Sequence, residues 1–234
     1  MTANILLLDY DHTLYPSTSI TLKAVDARIN LFIETYLGFS PEEADSIRVK
    51  LCEEYGATLR GLEMHHGVER DNYCDFIHAI EDDALPVPDP VLQNWLESLS
   101  CPVYLFTNAR KDWAERGLRA MGLESFLPES PNVPGPRFRE IFDITFLDWQ
   151  GKPHPDAYAK VEGHLREVHG LDDRNNGAAR IWFADDKPAN LLAARDRNWA
   201  TIWIRPAGAP AHPSEGKFDK VVDALTDVDT SNLN

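Results

Sequence analysis

The chain has 234 residues, 43% hydrophobic and 26% charged, a composition that suits a globular protein and excludes a fibrous repeat or a disordered tract. Its formal net charge of −15 excludes a non-specific grip on nucleic acid or on an anionic membrane, since both are polyanions. Cys52, Cys74 and Cys101 lie far apart with no C-x-x-C pair, which points to a reducing, cytoplasmic compartment and to cysteines used as small buried hydrophobes.

Ile5–Leu8 is a uniformly apolar run ending in Asp9. That is the pattern of a buried parallel strand, and it is too short for a signal segment or a membrane span. From Leu22 the apolar residues Leu22, Val25, Ile29, Phe32 and Ile33 recur at helical spacing. Ser40-Pro41-Glu42-Glu43 is a capping box with proline at the first helical position, and predicts a helix burying Ala44, Ile47, Leu51 and Tyr55. A further helix is expected around Tyr73, Phe76, Ile77 and Ile80. Residues 16–85 thus read as a helical module inserted after the first strand, and the proline-rich segment 85–90 returns the chain.

Beyond it the rhythm is strand and helix in alternation. A helix carries Val91, Leu92, Trp95, Leu96 and Leu99, and a strand follows at 103–106. The next helix runs from about Asp112 to Met121, with Gly122 as its stop. A strand at 141–147 precedes a helix with Tyr158, Val161, Leu165 and Val168. A strand at 181–184, a helix from near Pro188, and strands at 200–204 and 220–222 complete the pattern. Such alternation predicts an α/β fold, a doubly wound parallel sheet built from residues 1–15 and 86–234. Pro128–Pro136 reads as a surface loop, and the tryptophans 95, 113, 149, 182, 199 and 203 read as packing residues.

In an open parallel sheet, ligands bind at the carboxyl ends of the strands. The first strand ends in Asp9-Tyr10-Asp11-His12-Thr13, the second in Thr107-Asn108 and the fourth in Asp185-Asp186, while Lys152 lies just past the third. Four carboxylates at one edge repel unless a cation lies among them, and Mg²⁺ takes oxygen ligands of this kind. A carboxylate is also a covalent nucleophile toward phosphorus, and a second can serve as acid and then base. Thr107 and Lys152 can hold phosphoryl oxygens as charge spreads over them. Duller readings exist for each residue: Asp9 and Asp11 as turn caps, Thr107-Asn108 as a helix cap, Lys152 as a solvated loop lysine, and Asp185-Asp186-Lys187-Pro188 as a helix start. His65, His66 and His154 show no zinc-ligand spacing.

These four motifs, Asp9-x-Asp11-x-Thr13, Thr107-Asn108, Lys152-Pro153 and Asp185-Asp186, occur in the order of the haloacid dehalogenase-like (HAD) hydrolases, and the chain resembles that family over essentially its whole length. The resemblance implies a Rossmann-like core with residues 16–85 as its small helical cap, Asp9 as nucleophile and Asp11 as acid/base. It also implies Mg²⁺ held by the Asp9 side chain, the Asp11 carbonyl and the Asp185/Asp186 pair. The segment Glu54–Leu62 with His65, and Leu14-Tyr15 after the first motif, resemble the pyrimidine 5′-nucleotidase branch. That likeness implies a small phosphorylated metabolite as substrate, UMP or CMP, with Arg60 and Tyr15 facing it, and Asn108 is a further substrate-binding candidate. Neither nucleic acid nor a membrane is expected as a partner, and the protein is expected as a monomer or homodimer. The rival expectations are a phosphotransferase or mutase, a sugar-phosphate phosphatase, a 2-haloacid dehalogenase, and a non-catalytic binding protein on the same fold.

Overall fold

The computed structural model describes residues 4–130, 138–169, 180–210 and 212–233. The expected loop at Pro128–Pro136 therefore lies largely outside the described residues. The chain divides into two compact units, Met1–Ser17 with Val87–Asn234, and Thr18–Pro86.

The second unit is helical. It contains α1 (Ile20–Leu37), α2 (Pro41–Tyr55), α3 (Thr58–His66) and α4 (Arg70–His78). Helix α1 stops at Gly38, whose φ of 76° suits a residue without Cβ. Helix α2 starts as the sequence predicts: the Glu43 N–H donates to the Ser40 hydroxyl, and the Ser40 N–H donates to the Glu43 carboxylate. Of its expected stripe Ala44 and Leu51 are buried, whereas Ile47 and Tyr55 are only half-buried. Phe32 anchors an aromatic core with Tyr36, Tyr73 and Phe76, ring centroids 4.6 to 5.4 Å away. Helices α2 and α3 approach closely at Gly61, where a Cβ would lie 2.6 Å from the Leu51 side chain.

The first unit is a six-stranded parallel sheet in the order β3-β2-β1-β4-β5-β6, comprising β1 (Ile5–Leu8), β2 (Val103–Phe106), β3 (Phe138–Phe142), β4 (Ile181–Asp185), β5 (Ala200–Ile204) and β6 (Lys220–Val222). Every residue of β1, β2, β4 and β5 is buried, as a parallel sheet covered on both faces requires. Its helices are α5 (Pro90–Glu97), α6 (Lys111–Ala120), α7 (Pro155–His169) and α8 (Pro188–Arg195). On one face Ile5, Leu7, Tyr104, Phe106 and Phe183 pack with Tyr158, Val161 and Leu165 of α7 and Leu191 and Ala194 of α8. The observed sheet is the α/β architecture expected from the alternation.

One strand differs from expectation. The apolar run Ile141–Leu147 reads as a strand, yet β3 ends at Phe142 and the chain turns from Asp143 onward. The reason is Asp143. Its carboxylate is buried and accepts from the Thr145 hydroxyl and from the N–H groups of Phe146 and Lys111, which folds the chain back and caps α6. Leu147 still reaches the core from this turn. Among the described residues, no helix is long and apolar enough to cross a membrane.

Candidate active site

Strand β1 has β2 on one side and β4 on the other, so the strand order reverses there. Open α/β sheets form their ligand crevice at such a switch point. The residues just past the strand ends are anchored by neighbouring strands: the Asp9 N–H donates to the Ala184 carbonyl at 2.9 Å, and the Thr107 N–H to the Phe142 carbonyl at 3.0 Å. After Asp9 the chain folds back, with the Leu14 N–H on the Tyr10 carbonyl at 3.0 Å and His12 in the left-handed region at φ 63°. A non-glycine residue in that conformation is uncommon and clusters at functional sites.

Asp9, Asp185 and Asp186 meet there, with one carboxylate oxygen from each within 4.8 Å of the others. Lys152 joins them. Its ammonium lies 2.8 Å from Asp9 Oδ1 and 2.7 Å from Asp185 Oδ2, and sits over the rings of Phe106 and Phe183 at 5.1 and 5.0 Å. It is a buried ion-pair hub, not a solvated loop lysine. Burial works against its charge, but Asp185 and Asp9 outweigh burial and raise its pKa. Burial raises the pKa of Asp9 and Asp185 despite Lys152, and for Asp9 the neighbouring Asp186 and Asp11 add to the rise. The partners do not shift in complementary senses because three carboxylates face one ammonium. When all are ionised the cluster has two negative charges in excess. At this separation each uncompensated carboxylate pair repels by on the order of 4 kcal/mol at an effective dielectric of about 20.

The two neighbouring aspartates are engaged very differently. Asp185 accepts from Lys152, from the Asn190 amide nitrogen, which lies 2.9 Å from both its oxygens, and from the Lys187 N–H at 2.7 Å. Asp186 Oδ1 is buried with no hydrogen-bond partner among the described residues, and its Oδ2 is 3.5 Å from His12 Nδ1. Burial lowers the His12 pKa, but Asp186, Asp11 and Asp9 outweigh it and raise it. The Asp186 backbone carbonyl is fixed by the Trp203 indole N–H at 2.9 Å.

Asp11 sits in the same turn but outside this carboxylate cluster. The Tyr15 hydroxyl donates to Asp11 Oδ1 at 2.5 Å, and the Trp113 indole N–H donates to the same oxygen at 3.3 Å. Tyr15, expected to face substrate, therefore has its hydroxyl on Asp11. Burial and the charge of Asp11 push its phenol well above the ordinary tyrosine range, so it remains a donor.

Thr107 is buried, and its hydroxyl accepts from the Ala109 N–H at 3.0 Å. It does not cap α6, which starts after Arg110. Asn108, also expected at the substrate, is committed to the Lys152 backbone: it donates to the Lys152 carbonyl at 2.8 Å and accepts from the Lys152 N–H at 2.7 Å. Gly151 is needed beside it, because a Cβ there would lie 2.5 Å from Asn108 Oδ1. Asn108→Ala is expected to lower stability by about 1–3 kcal/mol, since it strips both partners from a lysine backbone held beside the cluster. A urea midpoint unchanged from wild type would remove this clamp from the account.

Arg60 lies on α3 of the helical unit, pairs with Glu63 at 3.7 Å, and has a side chain 42% exposed. In the same unit the Tyr55 hydroxyl and His65 Nε2 are 2.7 Å apart.

Sequence reasoning passed over Trp113, Asn190 and Trp203 as site residues. The indoles looked like packing, and only Asn190 carried a signal: a polar residue one turn into α8 on its buried side.

No family model matches the chain. Phosphate metabolism protein 8 of Saccharomyces cerevisiae is 24% identical over 204 residues, covering 81% of this chain, and the chain spans only 58% of that protein. The magnesium-bound HAD-hydrolase YfnB from Bacillus subtilis superposes with a TM-score of 0.58 at 17% identity, over 100% of both chains. A HAD phosphatase from Thermococcus onnurineus gives 0.56 at 15% identity, over 96% of this chain and 94% of its own. L-2-haloacid dehalogenases share the fold as well. The fold is thus one that solved HAD hydrolases share.

Proposed function

We propose that the protein is a HAD-type phosphomonoester hydrolase that works through an aspartyl-phosphate on Asp9, with a nucleoside 5′-monophosphate, UMP or CMP, as substrate. The observation that carries the reading is the division of labour among the carboxylates. Asp9 is held by Lys152, Asp185 is consumed in holding Lys152, Asp186 keeps a buried oxygen with no partner among the described residues, and Asp11 is held apart by Tyr15 and Trp113.

In the first half-reaction an Asp9 oxygen bonds to phosphorus as the ester P–O bond breaks, and Asp11 gives its proton to the departing oxygen. In the second, Asp11 takes a proton from the water that attacks phosphorus, the Asp9–phosphorus bond breaks, and phosphate leaves. An ammonium has three donors, and Lys152 spends one on Asp9 and one on Asp185, so a third remains for a phosphoryl oxygen. Thr107 accepts from Ala109 and keeps its own proton to donate there.

The residues fit Mg²⁺: three buried carboxylates converge, their charge exceeds that of Lys152, and one of their oxygens is orphaned. Asp9 and Asp186 would hold the ion with the Asp11 carbonyl, while Asp185, with its oxygens taken up by nitrogen donors, holds Lys152. Bound there, Mg²⁺ supplies positive charge that neutralises the phosphoryl oxygens.

Mg²⁺ is expected to raise the melting temperature of the wild-type protein, by about 2.7 kcal/mol of stabilisation at a hundred times its Kd. The raised carboxylate pKa values set the sign with pH. A carboxylate with a raised folded pKa contributes stability below the unfolded carboxylate range and loses that contribution as pH rises through the folded value. The metal-free protein is therefore penalised toward neutral pH, and the stabilisation by Mg²⁺ grows from pH 5 to pH 7. An equal shift in Asp186→Asn would remove Asp186 from the ligands.

The substrate class rests on the resemblance of the Glu54–Leu62 segment, with Arg60 as the candidate nucleotide contact, to the pyrimidine 5′-nucleotidase branch. A second reading, 2-haloacid dehalogenation, is favoured by the dehalogenases that share the fold. It leaves Asp11 and the orphaned Asp186 oxygen without a role.

The deciding experiment measures phosphate release from UMP, CMP, AMP, GMP, sugar phosphates and p-nitrophenyl phosphate with and without Mg²⁺, and chloride release from 2-chloropropionate. Metal-dependent release led by UMP or CMP is expected. Release led by a sugar phosphate discards the nucleotide, and chloride release alone discards the phosphatase.

A further inference from the structure

We propose that Tyr15 and Trp113 are positioning residues whose two donors reserve Asp11 Oδ1, so that the proton exchanged with the phosphoester is carried on Oδ2. The proposal rests on the acid/base reading of Asp11 given above.

Both donors converge on one oxygen, at 2.5 and 3.3 Å. An oxygen that already accepts two N–H or O–H groups is a poor seat for a proton, because its own O–H would point at a donor. Neither donor engages Oδ2, so a protonated Asp11 carries its hydrogen there.

The donors are built in rather than incidental. Tyr15 is 7% and Trp113 3% exposed. Tyr15 stands edge-on to Tyr10 and His12, at centroid distances of 5.4 and 6.1 Å, within the turn that His12 closes in its left-handed conformation. Trp113 comes from the first turn of α6, 102 residues away in sequence. The same helix carries Gly117 four residues later, on the same face. A Cβ on Gly117 would lie 1.5 Å from the Tyr10 hydroxyl, so the helix is notched to admit Tyr10. One face of α6 thus receives the residue after Asp9 in the notch and grips Asp11 with an indole, which fixes the spacing between nucleophile and acid.

While the Asp9 O–P bond forms, the ester P–O bond breaks, and its electron pair, left on the ester oxygen, takes the proton from Asp11 Oδ2. In the second half-reaction Oδ2 recovers a proton from the attacking water as the Asp9 O–P bond breaks.

An acid matters most when the leaving group is poor. The test therefore measures kcat/KM, with Mg²⁺ present, for phosphate monoesters whose leaving groups run from p-nitrophenol to simple alkyl alcohols. Tyr15→Phe and Trp113→Phe are each expected to lower kcat/KM for the alkyl esters by roughly 10- to 100-fold, and for p-nitrophenyl phosphate by less than about 3-fold. Asp11→Asn, run on the same series, separates the two readings. An ester-independent loss in Asp11→Asn overturns the acid assignment and the proposal with it. A graded loss in Asp11→Asn, with a uniform loss or none in both Tyr15→Phe and Trp113→Phe, overturns the positioning role alone. General loosening of the fold lowers all esters alike, so the gradient distinguishes positioning from structure. If one of the two variants fails to fold, the other carries the measurement, because each removes one donor and keeps an aromatic ring.

Discussion

Replacing Asp9 by asparagine is expected to abolish metal-dependent phosphate release, by about 10³-fold or more, while the protein melts within a few degrees of wild type. The two halves of this outcome come from different physics. Turnover fails because an amide cannot form the covalent phosphoryl bond. The fold survives because Asp9 is not a net stabiliser: burial, reinforced by Asp186 and Asp11, raises its pKa even though Lys152 lies 2.8 Å away. Asparagine keeps the shape and removes one carboxylate from the excess, which offsets the loss of its contact with Lys152. Kinetics and a circular dichroism melt read the two halves separately. Turnover near the wild-type rate in a folded Asp9→Asn protein would end the nucleophile assignment.

Lys152→Met should have the opposite profile, damaging both activity and stability. The ammonium is buried and in contact with Asp9 and Asp185, so its removal leaves those carboxylates without their cation. Breaking a buried pair by deleting one partner costs about 3–5 kcal/mol, which corresponds to roughly 10 °C in melting temperature for a domain of this size. Lys152 has a raised pKa, so its favourable contribution is complete below the unfolded lysine range and fades only as pH rises through the folded value, far above neutrality. The deficit in Lys152→Met is therefore expected throughout pH 5–9. Adding Asp185→Asn to Lys152→Met should recover part of the stability and none of the turnover, because it removes one uncompensated charge without restoring the donor. A double variant no more stable than the single would show that ion pairing is not what Lys152 contributes to the fold.

The local features were legible in the sequence because their causes are local. The four apolar residues before Asp9 form β1. The capping box at Ser40 starts α2. Strand ends could be read as site positions because, in a parallel sheet, the residue after an apolar run is delivered to one edge whatever the rest of the chain does. Asp9, Thr107 and the Asp185/Asp186 pair all lie at such ends. The run Ile141–Leu147 misled because hydrophobicity reports burial and not extension, and the Asp143 carboxylate that turns the chain needs Lys111 beside it to be satisfied.

Tertiary structure alone decided how the site residues are shared out. Nothing in the order of residues distinguishes Asp185 from Asp186. Asn190, Lys187 and Lys152 surround the first, and a buried oxygen of the second has no partner among the described residues, only once β4, α8 and the Lys152 loop are assembled. Asn108 and Tyr15 sit where sequence places them, but their polar atoms are spent on the Lys152 backbone and on Asp11. Trp113 reads as a core indole on a helix and becomes a donor to Asp11 because Gly117, one turn later, lets α6 close on the loop. The order of residues set the ends of β1, β2 and β4 and the residue types that gather there. Which side chain engages which was decided by long-range approach, because a hydrogen bond is made or missed within a few tenths of an ångström, a tolerance that spacing along the chain does not encode.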